Sequence, residues 1–461
     1  MRRFFSYLII LAIFLFSTDL FSQSTPKDTS SLLNAFKKGK TEGHFRMFYM
    51  RTNNDESLSD YYALAFGGGL KFQTKNYKGF QLGIGGFFIW NLSSSDLIQP
   101  DPLTNVLNRY EVGQFDQTNT SNKKDLQRLE DFFIKYNFKK SYLKYGKQVI
   151  KTPFINPQDG RMRPTGEQGF WAEVNEVKKT KIEFGWLNHI SPRGTLKWYR
   201  GASSLGIYPA GINISGTKSD YKNNVSSKGI FIGGITHSIN DHFKIQVWDH
   251  FVENVFNTAS FQFDGELPID DNTNLVTGLQ YIRQDATKNG GNIDPEKTYF
   301  DPSQKANIIS SRVGIQKKKW TGRFNYTRIT DHGRFLFPRE WGREPLYTFL
   351  PRERNEGSGD VNAFTVNFLF TFLKKKINTE ISGGYYDLPD VKNFRLNKYG
   401  FPSYYQLNID LKYSFEGFLE GLNAEILYLY KKNNGEIYSD LKYLINKVNM
   451  QQLNVILNYN F

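Results

Sequence analysis

Gln452-Leu453-Asn454-Val455-Ile456-Leu457-Asn458-Tyr459-Asn460-Phe461 is the stretch that decides the fold. Leu453, Val455, Leu457, Tyr459 and Phe461 take the odd positions, and Gln452, Asn454, Asn458 and Asn460 take even ones. Successive side chains of a strand point to opposite faces, so this segment has one oily face and one wet face. Such a strand can separate lipid from water, and it ends on an aromatic residue. The same alternation recurs upstream.

Met1-Arg2-Arg3, an apolar run from Phe4 to Phe16, and Ser17-Thr18-Asp19-Leu20-Phe21-Ser22-Gln23 form a basic start, a greasy core and a polar exit. That order predicts a cleaved secretory signal peptide at 1–22 and a mature domain at 23–461. A spanning helix needs about 20 apolar residues, and Ser17-Thr18-Asp19 interrupts this run too early. The mean hydropathy of −0.52 excludes a helical membrane protein. It does not exclude a barrel, whose strands alternate around a polar lumen. Aromatic residues make up 16%, enough for the girdles that barrels set where lipid meets water. There is no cysteine, so neither disulfides nor thiolate metal sites are expected. The formal net charge is +14. On a soluble protein that would suggest nucleic acid or heparin. On an exported barrel it suggests an anion-attracting lumen or contacts with anionic outer-leaflet lipid.

Runs of alternating or aromatic-rich residues of about 9–11, the length a tilted strand needs to cross the membrane, occur about eighteen times, from near 44–51 to near 450–461. The weakest is near 254–264, and the strand that follows it in the chain is near 272–285. The connectors alternate in length. Asn76-Tyr77-Lys78, Lys139-Lys140, Lys179, Asn240-Asp241, Lys317-Lys318 and Lys374-Lys375 are tiny. Those after strands three, five, seven, eleven, thirteen, fifteen and seventeen are long. Short periplasmic turns and long extracellular loops predict an all-β, transmembrane antiparallel β-barrel with both termini in the periplasm.

Parity then assigns faces. In the first strand Phe45, Met47 and Tyr49 face lipid, with His44 and Arg46 inside. In the third, Phe80, Leu82, Ile84, Phe88 and Trp90 face out. In the fourth, Phe132, Ile134, Tyr136 and Phe138 face out, with Asp131, Lys135 and Asn137 inside. Further on, Ile309, Val313 and Ile315 oppose Ser310, Arg312 and Gln316, and Trp320, Phe324 and Tyr326 oppose Arg323, Asn325 and Thr327. A cation facing lipid at the midplane costs about 2–4 kcal/mol. Arg46, Lys135, Arg312 and Arg323 are therefore pore-lining basic candidates. Lys144 and Lys147 have opposite parity, which leaves their strand unassigned.

Two loops stand out. The third, Lys151-Thr152-Pro153-Phe154-Ile155-Asn156-Pro157-Gln158-Asp159-Gly160-Arg161-Met162-Arg163-Pro164-Thr165-Gly166, is stiffened by three prolines and carries paired arginines. The seventh runs from Arg334 through Pro338-Arg339-Glu340-Trp341-Gly342-Arg343-Glu344-Pro345 to Pro351-Arg352-Glu353-Arg354. Its Phe, Leu and Trp content predicts an ordered loop that packs against something, either lining the pore or capping the barrel mouth. Enzymatic readings are weak. The six histidines show no metal-ligand spacing, and there is no Gly-x-Ser-x-Gly or phosphate-binding glycine loop. No cofactor is expected.

Leu143-Lys144-Tyr145-Gly146-Lys147-Gln148, Thr152-Pro153-Phe154, Asp159-Gly160-Arg161-Met162-Arg163-Pro164 and Ser191-Pro192-Arg193-Gly194-Thr195 resemble the OprD family of outer-membrane porins. The Pro338–Pro345 and Pro351–Gly357 stretches resemble a Bacteroidetes-type branch of it. The resemblance implies a narrow, selective pore whose third and seventh loops fold inward, with a basic ladder on one wall for carboxylates. It makes Arg161, Arg163 and Asp159 constriction candidates, and Arg339, Glu340, Arg343 and Arg352 candidates in the seventh loop. Asp131 and Asp159 are candidates for the wall opposite the ladder. The expected function is passive diffusion of small hydrophilic solutes, anionic or carboxylate-bearing, across the bacterial outer membrane. Outer-membrane lipid, lipopolysaccharide and, during biogenesis, the barrel assembly machinery are the other expected partners, nucleic acid is not, and the state is monomer or homotrimer. An adhesin or receptor barrel, or less readily a barrel hydrolase, is the alternative.

Overall fold

The computed structural model describes residues 28–158, 160–352, 354–372 and 376–461. The signal-peptide expectation, Asp159 and the Lys374-Lys375 turn lie outside the described residues. The strands are β1 (Lys40–Asn53), β2 (Tyr61–Gln73), β3 (Phe80–Ser94), β4 (Leu126–Phe138), β5 (Ser141–Gln148), β6 (Gly166–Val174), β7 (Thr180–Ser191), β8 (Tyr199–Arg200), β9 (Ile230–Ser238), β10 (Phe243–Val252), β11 (Phe256–Asp270), β12 (Thr273–Ala286), β13 (Lys305–Lys317), β14 (Trp320–Ile329), β15 (Val361–Phe372), β16 (Ile377–Asp387), β17 (Tyr404–Ser414), β18 (Leu422–Asn433) and β19 (Met450–Asn460). β8 is a two-residue piece that pairs only with the end of β7. Among the described residues, the other eighteen pair antiparallel in chain order, with β7 beside β9. β19 returns to β1, from His44↔Asn460 to Asn53↔Gln451, which closes the barrel and leaves no open edge.

The faces follow the period-two pattern. Phe80, Leu82, Ile84, Trp90, Phe132, Ile134, Val313 and Phe324 are exposed on the outer wall. Arg46, Asp131, Asn137, Ser310, Asn325 and Thr327 are buried on the inner one. At the periplasmic rim Phe80 packs on Tyr136 at 4.8 Å, and Phe461 stacks between Phe45 (5.8 Å) and Tyr459 (5.7 Å). Phe461 also exchanges both backbone hydrogen bonds with Gly43, at 2.9 and 3.0 Å, so it extends the seam beyond β19. Tyr459→Ser with Phe461→Ser should therefore lower the yield of folded, heat-modifiable barrel in the outer membrane. Unchanged yield would mean that the seam does not depend on these rings.

The structure corrects three readings. The weakest strand is not 254–264 but Phe256–Asp270, among the longest in the barrel, and it reaches β12 through Asp271-Asn272 alone. Pro268 lies inside this strand, near its end. The register shift between Pro268 and Asp270 accommodates a residue that has no N–H to donate. In β4 a bulge at Glu130 makes Gly85 pair with Asp131 and Gly86 with Leu129. Above it the parity inverts, and Arg128 and Leu126 face inward. Finally, the lumen is not uniformly polar. Toward the outer end the inner wall carries Phe48, Met50, Ile89, Leu126 and Leu429, all fully buried. The outer loops fold back into the barrel and cover these side chains.

Candidate functional site

The third outer loop, 149–165, enters the lumen on built anchors. Thr152 Oγ1 accepts from the Ile155 N–H and bonds His250 Nε2 of β10 at 2.9 Å, and the Phe154 ring packs edge-on against His250 at 5.2 Å. At its far end Arg128 of β4 clamps Glu130 through two bonds of 2.9 and 2.7 Å. The same guanidinium donates to the carbonyls of Pro164 (2.7 Å), Ser191 (3.1 Å) and Pro192 (3.1 Å). One buried arginine thus ties the third and fourth loops to the wall. Nothing in the sequence pattern pointed to Arg128, because the bulge hides its inward face. Two adjacent acids, Glu130-Asp131, were the available signal.

The seventh loop, 330–360, lines the inner wall over a long arc. Gln284 of β12 holds the backbone of Leu336, donating to its carbonyl at 2.6 Å and accepting from its N–H at 2.9 Å. Tyr347 O–H donates to Asp264 of β11 at 2.9 Å, Gln280 donates to the Pro345 carbonyl at 3.0 Å, and Tyr386 O–H of β16 donates to the Thr348 carbonyl at 2.7 Å. Phe335, Leu336, Phe337, Trp341, Leu346 and Leu350 are all buried. At about 1.5–3 kcal/mol per buried large apolar side chain, this burial is what orders the loop. Third and seventh loops touch: Phe154 and Phe337 lie 5.2 Å apart, and a Cβ at Gly342 would collide with the Phe154 carbonyl, so only glycine fits there.

Apart from Asp159, each sequence candidate lies among the described residues. Arg163 is buried against β4, donating to the Leu126 carbonyl at 2.7 Å and lying 3.8 Å from Glu130. Its Nε and Nη1 make no hydrogen bond to a described residue. Arg161 is buried on the other side of Met162, donating to the Gly160 carbonyl at 2.5 Å. Arg352 reaches across to β19, donating to Gln452 at 2.9 Å and Asn454 at 2.7 Å. A Cβ at position 160 would stand 3.0 Å from Arg352 Nη1 and 3.2 Å from Arg193 Nη1. Arg161, Arg193 and Arg352 therefore converge around Gly160. Arg193 was visible in the sequence only as part of a motif. Burial, then the nearby Arg352 charge, holds the Arg161 guanidinium down to about 9, and burial and Arg128 do the same to Arg163. Both stay cationic at neutral pH.

Arg339 pairs with buried Glu356 at 2.6 Å and lies 3.8 Å over the Tyr399 ring. Glu340 is buried, accepts from the Tyr208 N–H at 2.9 Å, and has its carboxyl raised by that burial. Arg343 is exposed, 4.9 Å over Phe349, with its backbone docked on Asn156. The four wall candidates do not share one ladder. Arg46 (β1) and Lys135 (β4) lie on one sector, and Arg312 (β13) and Arg323 (β14) on another. The first sector gains Lys71 and Lys144, whose ammonium groups both sit over the Phe133 ring at 5.6 and 3.8 Å. This places Lys144 on the inner face, while Lys147 lies 4.4 Å over Trp198. Asp131 does not stand opposite these lysines but beside them, 3.0 Å from Lys71. On the second sector Arg312 donates to Asn325 at 2.7 Å and faces Tyr347. A cavity of about 490 Å³, bordered by Glu42, His44, Lys71, Phe87 and Asp131, lies inside the barrel along β1–β4.

Glu344 gives the seventh loop a pH dependence. It accepts from the Asn355 N–H (2.7 Å) and the Glu356 N–H (2.9 Å), yet burial pushes it from 4.5 up to about 7, with the Glu356 charge adding to burial and Arg354 opposing. Between those values the folded loop holds a proton that an unfolded one releases. Packing therefore strengthens as pH falls from about 7 toward 4.5 and weakens as pH rises through 7. Current fluctuations of single channels should grow between about pH 6 and pH 8, and Glu344→Gln should flatten that profile. An unaltered profile in the variant would rule Glu344 out as the source.

A closed barrel of this size with loops folded into its lumen is a channel of the outer membrane. The family described as outer membrane porin, OprD family, matches residues 104–338, and the chain belongs to that family. No curated protein sequence matches it. Among solved structures it is similar to Pseudomonas aeruginosa OccK9 (OpdG), at 13% identity and a TM-score of 0.73 over 93% of this chain and 99% of that one. Acinetobacter baumannii OccAB3 gives 16% identity and 0.71 over 92% and 99%. Pseudomonas aeruginosa OccD3 (OpdP) gives 12% and 0.70 over 95% of each chain. The protein is thus an outer-membrane porin of a family for small-solute uptake.

Proposed function

We propose that this porin passes small carboxylate-bearing anions by passive diffusion, with the guanidinium groups around Gly160 as its filter. The observation that carries the reading is the convergence of Arg161, Arg193 and Arg352 inside the barrel. Like charges gather at a cost, and an anion passing among them is attracted more strongly than in bulk water because the local dielectric is low. Lys71, Lys135 and Lys144 extend the positive potential along one wall. A solute moves between such sites and leaves because none binds it tightly. Arg163, held by Leu126 and Glu130, positions the loop, and Arg343 faces the solute path. The test is the reversal potential of purified protein in a planar bilayer under a potassium chloride gradient, with a small monocarboxylate added to one side. Anion preference and carboxylate-dependent current reduction support the reading. Cation preference at low salt overturns it.

A further inference from the structure

The periplasmic rim carries an amphipathic element that the channel function does not use. Helix Leu32–Lys37 is capped by Ser31, whose Oγ accepts from the Asn34 N–H at 3.2 Å. Only Ala35 is buried, and its carbonyl accepts from the Lys75 N–H of the β2–β3 turn at 2.9 Å. Leu32, Leu33 and Phe36 are 54%, 63% and 44% exposed. At 3.6 residues per turn these three occupy one face. Phe36 stacks on Phe72 at 6.3 Å. Phe72 lies on the outer face of β2, directly between Thr41 and outward Ile84. The apolar face of the helix thus continues the lipid-facing belt of the barrel. Beside it, Lys37, Lys38, Lys75, Lys78 and Lys140 are exposed, and the acids on this side of the rim include Asp28, Glu176 and Glu42, the last paired with Lys40 at 2.6 Å.

We propose that this rim is a docking surface for anionic phospholipid of the periplasmic leaflet. The helix lies in the interface with Leu33 and Phe36 among the acyl chains, and the lysines hold the phosphate groups. Interfacial helices bind by this combination of buried apolar face and flanking cations, and basic clusters near a bilayer prefer anionic headgroups. Continuity with the belt is what selects lipid over a protein partner.

The chain has no cysteine, so Leu33→Cys offers one site for an environment-sensitive fluorophore, with exposed Ser121→Cys as the aqueous reference. The full barrel is folded into vesicles of phosphatidylcholine alone or with brominated phosphatidylglycerol, and folding is verified by heat-modifiable mobility. Emission from position 33 should be blue-shifted relative to position 121. Quenching by brominated phosphatidylglycerol should exceed its mole fraction, and should fall several-fold in the Lys37→Gln, Lys38→Gln, Lys75→Gln, Lys78→Gln variant and at high salt. Emission equal to that of position 121 overturns the proposal. So does quenching in proportion to mole fraction, or a blue shift that appears only when a periplasmic protein fraction is added.

Discussion

Cutting the seventh outer loop back to a short bridge between Ile329 and Val361 should raise single-channel conductance several-fold. β14 pairs with β15 along its full length, from Trp320↔Phe370 to Ile329↔Val361, so a tight turn can replace the loop without touching the barrel. What leaves is the chain that carries Trp341, Phe337 and Tyr347 across the lumen. Trp341 Nε1 donates to Ser204 of the fourth loop at 2.7 Å, so the fourth loop loses a support as well. The third loop loses its Phe337 and Gly342 contacts. Both effects widen the path. The measurement is a conductance histogram in a planar bilayer, with heat-modifiable mobility as the check on folding. A truncated, folded barrel with wild-type conductance would mean that the seventh loop only covers the mouth. Trp341→Ala should give a smaller version of the effect, seen as added noise, since it leaves Arg352 tied to β19.

The barrel was legible because its information is local. A period of two decides which side chain meets lipid, and the penalty for error is large enough that the pattern is kept strand after strand. His44 to Phe45 and Arg323 to Phe324 were readable one residue at a time. Reading failed where the backbone leaves that period. The bulge at Glu130 inverts the parity of β4, and with it the faces of Arg128 and Leu126, and a bulge leaves almost no trace in composition. The strand read near 254–264 runs on to Asp270, with Pro268 inside it near its end. The loops were legible as ordered but not as arranged. Arg161 and Arg163 are two residues apart in a segment with no periodicity, so nothing local says that one turns to Leu126 and Glu130 while the other turns to Arg352. Their partners come from β4, the fourth loop and the seventh, most of them distant in the chain. The convergence around Gly160 is a product of the closed barrel and could not precede it.

That difference between the two arginines makes the sharpest expectation. Arg161→Gln together with Arg193→Gln should abolish anion preference, whereas Arg163→Gln should leave preference intact and make the channel noisy. Two unit charges about 6 Å apart interact by about 3 kcal/mol at an effective dielectric near 20. Each guanidinium removed therefore reduces anion occupancy by tenfold or more before solvent screening is counted. Glutamine is shorter but uncharged and keeps an amide donor, so the loop can still close around Gly160. Lysine in place of Arg161 should restore charge but only part of the carboxylate selectivity, because an ammonium lacks the fork that matches two carboxylate oxygens. Arg163 acts differently. Its bonds go to the Leu126 carbonyl and toward Glu130, so losing them frees the loop from the wall without emptying the filter. Reversal potentials at low salt separate the two cases. The Arg161 and Arg193 effect should shrink at about 1 M salt, where the Debye length is about 3 Å, and the Arg163 noise should persist there. If the Arg161 and Arg193 pair leaves the reversal potential unchanged at low salt, the filter is not around Gly160. The wall of Lys71, Lys135 and Lys144 would then be the site that selects the anion.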